Sequence, residues 1–278
     1  MRMHVFLFVL LSLCAHVSAR WVLAWGDEFS TPFINSSLWN VLNNTPEGRP
    51  PSWNQIELYT ADNVFIDSGA LVLRTRLENV TFDGIPYNVT SGRVDTSFKA
   101  NVTYGRVEVS AKLQNDVASG IHTAHWLLGY DCWPQSAEVD IMECQSPHNV
   151  YDSTSASWQV ATSNYHIGEK CGVETRHTTG TSEWPKAPIP GLNFSASFNV
   201  FAVEWNATDL VYFVNDILVN HVFQGMPGWA APFEIPSWPM YLILSQAYMS
   251  KRPLGNPPAW AWPVEQRIDY VRVYDWAP

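Results

Sequence analysis

The sequence predicts an all-β fold in which two antiparallel sheets pack as a single-domain sandwich. Three observations predict it. Short segments rich in β-branched and aromatic residues recur between polar turns along the chain; no 12-residue stretch carries a helical apolar stripe; and no repeat, low-complexity tract or composition shift marks a domain boundary. At 278 residues and 46% hydrophobic, the chain has the length and apolar content for one large β domain with a substantial core.

Taken in chain order, the first element is a leader. Val5 to Leu13 is apolar apart from Ser12, follows Arg2 and precedes Val17-Ser18-Ala19. That is a basic n-region, a short h-region and a small-residue cleavage site, predicting a signal peptide over residues 1–19 and one domain over 20–278. No later run approaches the ~18 apolar residues of a membrane span, so no membrane anchor is expected. Asn63 to Thr75, Tyr104 to Lys112, Glu138 to Glu143, Phe198 to Trp205, Leu210 to Val214 and Ile268 to Tyr274 read as strands. Asp67-Ser68-Gly69 and Val214-Asn215-Asp216 read as turns between them. Arg106, Glu108 and Ser110 alternate with Val107, Val109 and Ala111, the period of a strand with one wet face. Proline-rich stretches such as Thr45 to Ser52 and Trp184 to Gly191 read as loops.

Seven Asn-X-Ser/Thr sequons, at Asn35, Asn43, Asn79, Asn88, Asn101, Asn193 and Asn206, fit a secretory route and an extracellular glycoprotein. Cys14 leaves with the leader, so Cys132, Cys144 and Cys171 remain. Three allow one bridge and one free thiol. Cys132 and Cys171 flank two strand-like segments that a hairpin would fold together, so they are the favoured pair; Cys144 ends an apolar strand and reads as a buried thiol. Composition bears on partners too. Acids outnumber bases 26 to 16, which disfavours nucleic acid and other polyanions, whereas Trp 14, Tyr 11 and Phe 13 favour a neutral partner met through aromatic surface.

The densest chemistry lies in Ala137-Glu138-Val139-Asp140-Ile141-Met142-Glu143-Cys144. Three acids interrupt an apolar strand, and burying carboxylates is costly. Glu138 and Asp140 share a face, while Glu143 falls on the opposite face of a regular strand. One extra residue in a β-bulge at Ile141-Met142 would bring all three to one side. Two carboxylates so placed suit a retaining glycosidase, with the middle Asp140 between them. On the residues alone a cation site or an edge strand with surface acids stays open.

The segment from Trp133 to Glu143 resembles the active-site signature of family 16 glycoside hydrolases, in the bulged form of the endo-β-1,3-glucanases. Trp25-Gly26-Asp27-Glu28-Phe29, Asn54 to Thr60, Thr90-Ser91-Gly92-Arg93, Tyr104 to Glu108, Ala124 to Leu128, Val203-Glu204-Trp205 and Ile268 to Tyr274 resemble further family segments in the family's order. The resemblance implies a β-jelly-roll sandwich of two curved sheets with a concave substrate cleft. It implies Glu138 as nucleophile, Asp140 as its electrostatic assistant and Glu143 as general acid/base. Trp126 and Trp133 would be sugar platforms; Asn54, Glu57, Arg93, His166 and Gln246 would contact substrate. It also implies that catalysis needs no cofactor, that a structural calcium would bind away from the chemistry at Asp269 and the Gly69 carbonyl, and that the chain acts as a monomer on β-glucan. The expected activity is a secreted retaining endo-β-1,3-glucanase. A mixed-linkage glucanase, galactanase or transglycosylase, and a non-catalytic glucan-recognition protein, are the alternatives. Four departures stand out: His122-Thr123 where relatives commonly carry Trp-Pro, His125 in place of Phe, Ala137 in place of Gly, and Tyr248-Met249 where Gly-Gly is frequent.

Overall fold

The computed structural model describes residues 20–46, 55–114, 120–145, 161–172, 176–178, 192–226, 234–249 and 259–277. The leader at 1–19, Asn54 and the stretch 184–191 lie outside the described residues. The strands are β1 (Arg20–Asp27), β2 (Asn40–Val41), β3 (Thr45–Pro46), β4 (Leu58–Tyr59), β5 (Val64–Asp67), β6 (Ala70–Phe82), β7 (Ile85–Ser91), β8 (Arg93–Asp95) and β9 (Gly105–Lys112). They continue as β10 (Ile121–Gly129), β11 (Glu138–Gln145), β12 (Thr162–Ile167), β13 (Arg176–Thr178), β14 (Asn199–Trp205), β15 (Asp209–Val214), β16 (Ile217–Phe223), β17 (Met240–Tyr248) and β18 (Val264–Ala277). No described helix is long and apolar enough to cross a membrane.

The strands form two sheets stacked as a jelly-roll-like sandwich. The larger runs β16-β15-β14-β9-β18-β6-β7-β4-β3, with β1 added on β18 and β5 on β6; the smaller runs β13-β12-β11-β10-β17-β8-β2. The pairings are antiparallel except β4 with β7. Two-residue turns close three hairpins: Ser68-Gly69, Asp83-Gly84 and Asn215-Asp216 all take positive φ at both positions, the backbone whose twist matches the flanking strands. Asn63 to Thr75, read as one segment, is therefore split by its Ser68-Gly69 turn into β5 and β6.

Alternation fills the space between the sheets. Val107 and Val109 of β9, Phe201 and Val203 of β14, Leu127 of β10, Val139 of β11 and Leu242 and Leu244 of β17 meet there in one buried cluster. The other face of β9 is not wet, as the alternation suggested. Arg106 is only 7% exposed, and its guanidinium donates to Glu108 and Glu204 at 2.7 and 2.8 Å and to Asp216 at 2.7 Å. β9 lies between β14 and β18, so its polar face is covered by neighbouring side chains and its charges are paired on the sheet.

All seven sequon asparagines are among the described residues; six are exposed and Asn193 is half-buried. Cys132 and Cys171 form the disulfide, across the β11–β12 hairpin, and Cys144 is buried and outside it.

Candidate active site

The site is built on the outer face of the smaller sheet, around β11. Against β10, Glu138 pairs with Leu128, Val139 with Leu127 and Asp140 with Trp126; then Met142 pairs with His125 and Glu143 with Ala124, leaving Ile141 as the extra residue. Against β12 the register slips at the same place, Asp140 facing Asn164 and Glu143 facing Thr162. This is the bulge that the three acids require. Val139, Ile141, Met142 and Cys144 all enter the core, and the acids turn outward. Ala137, just before Glu138, sits at φ 61 with its methyl fully buried, a backbone that costs an alanine ~1–2 kcal/mol and a glycine nothing.

Neighbouring strands supply the partners. His166, opposite Glu138, brings Nε2 within 3.1 Å of Asp140 Oδ2. One donor atom each from Glu138, Asp140 and His166 lie within 4.8 Å of one another, a spacing that a cation could also bridge. On the far side of the bulge, His122 Nε2 lies 2.9 Å from Glu143 Oε1, and Asn164 Nδ2 donates to Glu143 Oε2. Neither contact was anticipated. Both residues have a readable signal: Asn164 is two residues before His166, and His122 is four before Trp126, so period two puts each on the site's face.

Burial and mutual charge spread the acids' affinities for protons. Desolvation, then the charge of Asp140, pushes the Glu138 carboxyl well above the ordinary carboxylate range. Desolvation and the Glu143 charge raise Asp140 to about 6, against the pull of His166. Desolvation would raise Glu143 as well, but the His122 bond and the charges of both histidines hold it below its ordinary value. The free site thus keeps its proton on the Glu138–Asp140 side and leaves Glu143 ionised.

Aromatic and basic side chains extend the face. Trp126 donates its indole N–H to Ser245 Oγ at 3.2 Å, and Arg93 lies over the Trp126 ring at 5.3 Å and the Tyr59 ring at 5.8 Å. Trp133 lies 6.3 Å from the His166 ring and is tied in place by the adjoining disulfide and by its carbonyl, which accepts from Gly172 N–H at 2.8 Å.

One expected substrate contact does not reach this face. Gln246 pairs with Thr123, whose side is the interior; it has no exposed surface, and its amide donates to Thr75 Oγ1 at 2.7 Å and the Val264 carbonyl at 3.0 Å. Its neighbour Ser245 takes the outward position, because adjacent strand residues face opposite ways. Glu57 also has no exposed surface; its Oε2 accepts the Tyr248 N–H at 2.9 Å, so it ties β4 to the end of β17. Gly69 lies in the β5–β6 turn and Asp269 is exposed on β18 one residue past the Ile268–Leu71 pair, which puts both at the end of the β18–β6 pair in the larger sheet, whereas the acids are on the smaller one.

The profile of "Glycosyl hydrolases family 16" matches residues 53–272, which include every strand of this site except β2. The chain belongs to this family. Its relatives include the "Clotting factor G alpha subunit" of Tachypleus tridentatus, 27% identical over 94% of this chain and 35% of that protein. Another is the "Glucan endo-1,3-beta-glucosidase A1" of Niallia circulans, 28% identical over 91% of this chain and 37% of that protein. The chain thus spans little more than a third of the length of these two relatives. Among solved structures, the laminarinase catalytic domain from Thermotoga maritima MSB8 superposes with a TM-score of 0.72 at 28% identity, covering 92% of this chain and 98% of that one. Within family 16, an acidic cluster with a histidine on the outer sheet face is consistent with a retaining glycosidase centre.

Proposed function

We propose that the chain is a secreted, monomeric, retaining endo-β-1,3-glucanase acting on laminarin-like or cell-wall β-glucan. The observation that carries this is the bulge at Ile141, which sets Glu138, Asp140 and Glu143 on one face beside Trp126, Trp133 and Arg93. The printed activity of the Niallia circulans relative and the laminarinase from Thermotoga maritima support the substrate class. In the reading, Glu138 attacks the anomeric carbon while Glu143 protonates the leaving oxygen. Glu143 then takes a proton from water, which releases the sugar with its configuration retained. Asp140, bridging Glu138 and His166, lends or withdraws its proton as Glu138 changes charge. A neutral sugar face stacks on the tryptophans and its hydroxyls meet Arg93 and Asn164.

The leader at 1–19, a single domain over 20–278, and glycosylation at the seven sequons complete the secretory reading, supported by the exposure of six of those asparagines. A structural calcium would use the exposed Asp269 carboxylate with the Gly69 carbonyl; the nearby Asp67 is bound to Arg267, so backbone and water must supply most of the six to eight oxygens calcium takes. No step of the reaction passes through it, and thermal unfolding with and without a chelator tests it.

Product analysis on laminarin, lichenan, xyloglucan, agarose and carrageenan, followed by real-time NMR of new reducing ends, decides the function. Laminarin should be cut fastest and give the β-anomer first, and Glu138→Gln should abolish cleavage while glucan binding persists. An initial α-anomer sinks retention. A lichenan rate tenfold above laminarin sinks the β-1,3 assignment and leaves a mixed-linkage enzyme.

A further inference from the structure

The roles just given need Glu143 protonated and Glu138 ionised, yet the free site favours the reverse. Resting on that assignment of roles, the geometry around Glu143 points to where its proton is kept. His122 is the diagonal neighbour of Glu143 across the β10–β11 pair, two residues from the directly opposite Ala124 and on the same face. Its side chain is 12% exposed and that of Glu143 17%, so the 2.9 Å contact between Nε2 and Oε1 is largely sheltered from water. Asn164 holds the other oxygen from β12.

We propose that His122 stores the proton of the general acid: the proton that reaches the leaving oxygen rests on His122 Nε2 in the free site and passes to Glu143 Oε1 when substrate covers the pair. The balance is simple. An imidazolium beside a carboxylate and an imidazole beside a carboxylic acid hold the same single proton, so desolvation by a bound sugar converts the charged pair to the neutral one without drawing on solvent. Glu143 then protonates the glycosidic oxygen as the carbon–oxygen bond breaks, leaving carboxylate and neutral imidazole. In the second step the attacking water gives its proton to Glu143 as its oxygen bonds the anomeric carbon and the bond from that carbon to Glu138 breaks, freeing the carboxylate, and the proton returns to Nε2. His122 acts through Glu143 and is a positioning residue. Among the described residues, the other titratable groups around Glu143 are Asp140 and Glu138 on β11 and His166 on β12.

The experiment is the pH profile of kcat/KM on laminarin for the wild type, His122→Phe and His122→Gln, with folding checked by thermal unfolding. In general an imidazole holds its proton to about two pH units above a lone carboxyl, and a proton shared by two groups belongs to the pair. Both variants should therefore move the alkaline limb down, by about one to two units. His122→Gln can still donate to Oε1 but cannot carry the proton, so it separates storage from orientation. If His122 served only as a positive neighbour, its removal would relax Glu143 toward higher affinity and move the limb up. An upward shift or an unmoved limb overturns the proposal. Glu143→Gln tests the underlying assignment separately: wild-type hydrolysis by that variant means that Glu143 is not the acid, whatever His122 does.

Discussion

At Asp140, the burial that serves the chemistry weakens the fold. The residue is 2% exposed and its carboxyl is raised to about 6 from an ordinary value of 3.8, so the folded chain holds this proton more tightly than the unfolded one. A raised affinity stabilises fully below the unfolded value, and that contribution is lost as pH rises through 6. Asp140→Asn should therefore stabilise the protein by about 3 kcal/mol at pH 8 and by nothing near pH 3, at the expense of activity. Denaturant unfolding at the two pH values reads the difference; an equal effect at both would mean that the carboxyl ionises freely. The same residue shows what a sequence discloses at this scale. Acids inside an apolar strand declare themselves because burial needs a reason, which made Glu138, Asp140 and Glu143 legible. Gln246 carries no such contradiction: a buried amide that donates within the core reads the same as one waiting for a ligand. His122 and Asn164 lay on the correct period and went unread because nothing in the strand alone shows what stands across from it.

The bulge belongs to the strand rather than to any side chain. With Ile141 as the extra residue, the acids before it and the acid after it face the same way; any further single insertion reverses that phase. Placing one alanine between Ile141 and Met142 should turn Glu143 toward the core and abolish hydrolysis. Deleting Ile141 keeps the acids in phase and loses one buried side chain, about 2–4 kcal/mol, so a folded protein with residual activity is expected. Activity assays beside circular dichroism separate the two, and an active insertion variant would show that the strand re-registers. This device was legible because an odd spacing between two residues of one function has few physical solutions. Strand ends were less so. The alternation within β9 was correct, but whether its polar face meets water depends on flanking strands far away in sequence, and Arg106 proved to be at the centre of an ion-paired surface.

For the molecule as a whole, the sandwich was legible from turn-bounded alternation, since a sheet with one apolar face must cover it with another. The pairing of β9 with β14 and β18 was not, because register between distant segments is chosen by three-dimensional packing. Among the described residues one cysteine stands outside the disulfide, and it gives this fold a built-in stopwatch. Cys144 follows Glu143 directly, is 1% exposed, and burial pushes its thiol up to about 12. A thiol reagent can reach it only when the two sheets part at β11. In a chain starting at Arg20, native protein should stay unlabelled while denatured protein takes one equivalent, so the labelling rate times how often the catalytic strand opens. A bound oligosaccharide should slow that clock; labelling within seconds, unchanged by ligand, would mean that β11 frays independently of the site it carries.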